Sequence, residues 1–311
     1  MTDVSIGLSL LGLVLVLLML RMPIGITLIG VSFSGLWILK GWKVAWGALA
    51  LVPYQFSASW VLSSIPMFLL LGYICYHMNL TQGLFRAARL WLSWLPGGLG
   101  ISAIAGSAGF AAVSGSSIAC SATMGRIAVP EMLKARYDPG FAAAIVATAG
   151  TIGALIPPSI ILIIYGIIAQ QSVTRLFLGG LAAGACSVVA YFLLITLRAR
   201  LNPALAPRLA QTVSRAEKLA ALRETWPLIV TVVAVFLGIF AGVFTPTEAG
   251  ATGAFFALMI GVLKGEFTVK RLERAVFETL ISTSMLLIIG IGASLLTREF
   301  QTTDPSPSIE E

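Results

Sequence analysis

Apolar runs of bilayer length, separated by short polar punctuation, fill the chain from its first residues to about Thr297. A membrane helix needs roughly 20 mostly apolar residues. Segments that meet or approach this need run approximately over 4–20, 23–39, 44–62, 65–79, 99–133, 141–169, 176–197, 227–244, 247–263 and 279–297. The third, interrupted by Pro53 and flanked by Trp46 and Trp60, reads as a weaker span or an interfacial segment. Turn signals at Arg21-Met22-Pro23, Leu95-Pro96-Gly97-Gly98, Tyr137-Asp138-Pro139-Gly140 and Phe244-Thr245-Pro246-Thr247 mark where helices should end. The expected fold is an all-α integral membrane protein with many spans.

Two segments depart from the simple pattern. The run 99–133 is too short for two full spans and has Ser114-Gly115-Ser116-Ser117 at its centre, so it reads as a re-entrant helical hairpin. The run 141–169 contains Pro157-Pro158. Proline has no amide hydrogen and its ring crowds the preceding turn, so this helix should break there.

Composition agrees with the pattern: 58% of the 311 residues are hydrophobic and 11% charged, against about 25% charged in a soluble domain. The net charge of +7 would raise nucleic acid as a partner in a soluble chain; here basic residues in short loops set membrane orientation instead. The stretch from Arg198 to Arg223 holds Arg198, Arg200, Arg208, Arg215, Lys218 and Arg223 and reads as a cytoplasmic loop. With the amino end outside, sixteen of the twenty Lys and Arg residues then fall on the cytoplasmic side. Asp3 before the first apolar run and Arg21 after it are the reverse of a cleaved signal peptide. Phe267 to Arg274 reads either as an amphipathic interfacial helix or as a solvated loop. Cys75, Cys120 and Cys186 show neither a disulfide framework nor metal spacing.

The candidate chemistry is sparse. An unwound tip at Ser114 to Ser117 offers hydroxyls and carbonyls to a hard cation, while a helix starting near Ser117 points amides toward an anion. The competing reading is that Gly, Ala and Ser at this density only allow close helix packing. The break, with Gly150, Thr151, Gly153, Pro157, Pro158 and Ser159, is either an ordinary kink or an unwound wall of the same site. No Asp or Glu sits mid-span, which argues against a carboxylate proton relay. His77, the single histidine, reads as a packing or interfacial residue, and no catalytic constellation accompanies it, so an enzyme is not expected.

At these motifs the chain resembles the large membrane subunit of the tripartite ATP-independent periplasmic (TRAP) transporters. The residues that carry the resemblance are Arg21-Met-Pro23, Ser64-Ile-Pro-Met-Phe68, Ser114-Gly-Ser-Ser117 through Met124-Gly-Arg126, Pro130-Glu-Met132, Tyr137-Asp-Pro139, Gly150-Thr-Ile-Gly153, Ile156-Pro-Pro-Ser159 and Phe244-Thr-Pro-Thr-Glu248. The resemblance implies an elevator-type carrier of the bacterial inner membrane with no cofactor and with sodium as the coupling ion. Its implied partners are a small TRAP membrane subunit, a periplasmic substrate-binding protein and an organic acid anion such as a dicarboxylate or sugar acid. It also implies that Ser114, Gly115, Ser116 and Ser117, facing Gly150, Thr151 and Gly153 and the break at Pro157, Pro158 and Ser159, hold one sodium ion.

On this reading residues 1–98 are scaffold-like spans and 99–175 one half of the transport domain. Residues 176–297 add a span, the basic loop and further scaffold-like spans, and 298–311 form a polar disordered tail. The family pattern is an inverted repeat, and its second hairpin and second proline pair are expected downstream. Their replacement by the tail is expected to reflect a premature stop, a frameshift or a split gene. The alternatives are a carrier of a related inverted-repeat anion transporter family and an inactive membrane remnant.

Overall fold

The structure, a computed structural model, describes residues 3–207 and 214–303. These residues form fourteen α-helices and one short 3-10 helix, with no strand among them. In the order of the chain the helices are α1 (Asp3–Met19), α2 (Ile24–Lys40), α3 (Trp42–Ser57), α4 (Ser64–His77), α5 (Gln82–Leu92), α6 (Gly98–Ser114) and α7 (Ser117–Lys134). They continue with α8 (Pro139–Leu155), α9 (Ile160–Ile168), α10 (Val173–Leu201), α11 (Arg215–Glu224), α12 (Trp226–Phe240), α13 (Pro246–Leu263) and α14 (Val269–Thr303). Among the described residues four helical stretches are long and apolar enough to cross a membrane, or six if two bent pairs each count as one span. The protein is a multi-pass helical membrane protein.

Two compact units divide the chain: Met1–Leu62 with Leu280–Glu311, and Ser63–Thr279. In the first, α1 and α2 pack through Leu10, Val14 and Val31. The later part of α14 lies against α2, where a side chain at Gly292 would meet Leu28. Trp42 stacks on Trp46, and Phe33 and Trp37 meet their edges. In the second unit the hairpin arms α6 and α7 and helix α8 form the centre of a core that includes Ile101, Ile104, Phe110, Met124, Ile145 and Ile152. Almost every residue of α6 is buried, as expected of a helix with no polar face.

Several family motifs turn out to be helix starts. Asp138 caps α8, accepting a hydrogen bond from the Phe141 amide at 2.8 Å, with Pro139 in the first turn. Thr245 and Glu248 close a capping box at the start of α13, with Pro246 in the first turn. These arrangements satisfy amides that a helix leaves unpaired at its beginning, and proline fits there because it has no amide to lose.

One helix was not expected, and three expectations need correction. Residues 82–92, which carry no bilayer-length apolar run, form the amphipathic helix α5, packed on α6 and α11. The basic stretch 198–223 is not all loop: α10 continues to Leu201, and α11 starts on a capping box of Ser214 and Glu217. Pro53 does not interrupt α3, which runs on to Ser57. Phe267 to Arg274 is neither a separate interfacial helix nor a loop, because from Val269 it is the first part of α14. The same helix extends into the polar segment 298–311 as far as Thr303, and 304–311 lie outside the described residues.

Candidate functional site

The hairpin tip is built by two local events. Helix α6 ends at Ser114 because Gly115 adopts φ +59, a left-handed conformation that an L side chain rarely takes. Ser116 is then extended and caps α7, accepting from the Ala119 amide at 3.3 Å. The chain therefore reverses within two residues, and a helical hairpin is present over the expected 99–133 as α6, turn and α7.

The proline pair ends α8 and re-aims the chain. Helices α8 and α9 meet at 45°, with Ser159 capping α9. Pro157 and Pro158 supply no amides to the carbonyls of Gly153 and Ala154, one turn earlier. The Ser159 hydroxyl donates to Ala154 O at 2.6 Å and so replaces one of the missing bonds.

Tip and break lie against each other. The Ile160 amide donates to Gly115 O at 3.3 Å, and a side chain on Gly115 would strike the carbonyl oxygen of Pro158. A methyl at Gly153 would lie 2.8 Å from Ser116 O and 2.9 Å from Ser117 Cα, and one at Gly150 would overlap Ser121 Oγ. The glycines are thus the face of α8 that admits the tip. Of the residues picked from the sequence, Ser114, Gly115, Ser116, Ser117, Gly150, Gly153, Pro157, Pro158 and Ser159 converge here. The Thr151 side chain does not: its hydroxyl bonds to Thr148 O at 2.7 Å and lies 3.1 Å from the Tyr191 hydroxyl on α10.

The electrostatics follow from the helix ends. α6 and α8 bring carbonyl ends to this place, and α7 and α9 bring amide ends. Helix termini carry about half a charge each, negative at the carboxyl end and positive at the amino end, so the crossing offers oxygen to a cation and N–H groups to an anion. Ser114 is buried, and its Oγ has no hydrogen-bond partner among the described residues. An unpartnered buried hydroxyl is costly, and a hard cation would satisfy it. Ser107, two turns earlier on the same face of α6, is also buried, and Cys120 Sγ on α7 donates to its carbonyl at 3.5 Å.

Sequence reasoning missed two neighbours of the tip and one ion pair away from it. Ser121 lies one turn into α7 and faces Gly150; the spacing from Ser117 was the available signal. Gly72 of α4 backs the tip, since a methyl there would lie 2.8 Å from Ser114 Cα. His77 is not merely a packing residue, because its Nε2 lies 3.1 Å from a Glu278 carboxylate oxygen. The partners are distant in sequence, and nothing local announces the pair.

Comparison with known proteins bears on what this arrangement serves. Residues 11–311 match the sequence model of the family described as tripartite ATP-independent periplasmic transporter, DctM component. The chain belongs to this family. Its members are transporters rather than enzymes, and the match favours this family over other inverted-repeat anion carriers. Among similar proteins, a C4-dicarboxylate TRAP transporter large permease protein DctM of Pseudomonas aeruginosa is 33% identical over 84% of this chain and 60% of its own length. A putative TRAP transporter large permease protein of Haemophilus influenzae is 32% identical over 75% and 58%. A sialic acid TRAP transporter large permease protein SiaM of Vibrio cholerae is 29% identical over 90% and 64%. The TRAP permease chain thus spans about three-fifths of the length of these curated relatives.

Proposed function

We propose that this chain serves sodium-coupled uptake of an organic acid across the bacterial inner membrane, as part of a TRAP large permease. It works with a small membrane subunit and with a periplasmic binding protein that delivers the substrate. The segment 99–175 supplies one half of a transport domain that moves in the elevator manner, and the flanking segments 1–98 and 176–297 act as scaffold. The substrate class follows relatives named for C4-dicarboxylate and sialic acid, both of which are carboxylate anions.

The observation that carries the reading is the meeting of the Ser114 to Ser117 tip with the Pro157-Pro158 break, which leaves a buried Ser114 hydroxyl unpartnered beside two helix carbonyl ends. Sodium is held there by the Ser114 hydroxyl and by carbonyls of the tip and break, including that of Gly153. Thr151 takes part through its backbone and not through its hydroxyl, which is engaged elsewhere.

The test is sodium-induced thermal stabilisation of the purified chain, with choline as the control cation. Ser114→Ala is the decisive variant. If the tip is only a packing device, removing an unpartnered hydroxyl leaves stability unchanged or raised, with the sodium response intact. If it is an ion site, the variant folds normally and loses most of the sodium-induced shift. Ser116→Ala is a poorer probe, because losing that cap costs about 1 kcal/mol by itself. Uptake by membranes containing both partner proteins then tests the substrate class.

A further inference from the structure

Away from the tip of the hairpin, the arm α7 borders a polar cavity. It has a volume of about 280 Å³, and its lining includes Tyr76 and His77 at the end of α4, Asn79 and Thr81 beyond it, and Thr123 and Arg126 on α7. Arg126 begins about 15 Å along α7 from the tip, on the side that the basic residues mark as cytoplasmic.

The charges in this cavity do not cancel. Arg126 contacts the Tyr76 hydroxyl at 3.5 Å and has no carboxylate partner among the described residues. The acidic groups nearby are already engaged: Glu278 lies against His77, and Glu266 bonds Arg271 and accepts from Asn79 at 3.3 Å. What lines the space is a guanidinium together with Tyr76, Thr81 and Thr123. A guanidinium presents paired N–H groups that match the two oxygens of a carboxylate. The volume is at the small end of ligand cavities, which run from about 300 Å³ upward. It suits a few-carbon acid and excludes a whole phospholipid.

We propose that this cavity is a carboxylate-binding station, with Arg126 as its anchor and Tyr76 and Thr123 as further donors, which receives the organic acid on the release side of the hairpin tip. The station rests on the transport reading above but uses none of the tip residues. An acid leaving the tip along α7 meets the positive charge of Arg126 before it reaches water, which lowers the barrier to its passage.

Equilibrium binding of radiolabelled succinate to the purified full chain, in sodium-free buffer, tests this directly. Saturable binding is expected. Arg126→Gln should weaken it at least ten-fold, Arg126→Lys should weaken it less, and Tyr76→Phe should weaken it a few-fold. Thermal unfolding of each variant checks that it is folded. Wild-type affinity in Arg126→Gln, or no saturable binding at all, overturns the proposal. So does displacement of succinate by inorganic phosphate or short-chain phosphatidylglycerol as effectively as by unlabelled succinate, which would mark a phosphate or lipid headgroup site. Failure of the succinate binding with the sodium-induced thermal shift intact overturns the station alone. Loss of both overturns the transport reading beneath it.

Discussion

Replacing Gly153 with alanine isolates the contact between hairpin tip and broken helix. The added methyl would lie 2.8 Å from Ser116 O, 2.9 Å from Ser117 Cα and 3.0 Å from Ser116 C. All three atoms are backbone, so no rotamer change relieves the clash, and the tip must retreat by about half an ångström or more to reach ordinary contact. Overpacking of this kind costs about 1–3 kcal/mol. Against it stands the gain from replacing glycine inside a helix, about 0.5–1 kcal/mol. The net expectation is a loss of about 0–2.5 kcal/mol, and of about 1–3 kcal/mol relative to a glycine replacement that meets no clash. Gly179 on α10 is the matched control, because a methyl there meets nothing within 4 Å; only the helix gain remains, and Gly179→Ala should be neutral or stabilising. The assay is thermal unfolding of the purified protein, with and without sodium. Gly153→Ala should unfold below wild type and show a reduced sodium-induced shift. If Gly153→Ala unfolds at or above Gly179→Ala, the tip is not seated against α8 as described, and the argument for a joint site is refuted.

Two further outcomes test the frame around the site. Asp138→Ala should destabilise by about 1 kcal/mol through loss of the α8 cap, while Asp138→Asn should retain most of it; thermal unfolding of the two variants decides. Glu266, held below its ordinary value of 4.5 first by the hydrogen bond from Arg271 and then by that from Asn79, binds its proton less readily when folded than when unfolded. Its stabilising contribution is therefore present above that ordinary value and is lost as the pH falls through the lower folded value. In an unfolding series over acid pH, Glu266→Gln should show a shallower decline than wild type. The carboxylate is partly exposed, so solvent screening keeps the effect small.

The placement of helices was legible along the chain because what encodes it is local. Apolar length marks spans, Asp138-Pro139 and Thr245-Pro246 mark starts, and Pro157-Pro158 forbids a continuous helix whatever surrounds it. Even the hairpin followed from arithmetic, since 99–133 is too short to cross twice. Helices α5 and α11 escaped because a search for bilayer-length apolar runs passes over short amphipathic segments, whose apolar face acquires meaning only against a partner.

Which face of each membrane helix turns inward was not available in the sequence. Lipid is as apolar as a protein core, so a residue facing one resembles a residue facing the other. Gly150, Thr151 and Gly153 look equivalent in the sequence. Only tertiary packing turns the two glycines onto the tip and Thr151 toward Tyr191. The pairing of His77 with Glu278, and the unpaired Arg126 beside Tyr76, were equally hidden. Those contacts join groups far apart along the chain, and no local rule of spacing relates them. The sequence by itself determined that the chain enters the membrane repeatedly and must unwind at two places. The tertiary structure decided that these two places meet, because a helix that is apolar on every side carries no local instruction about its neighbour.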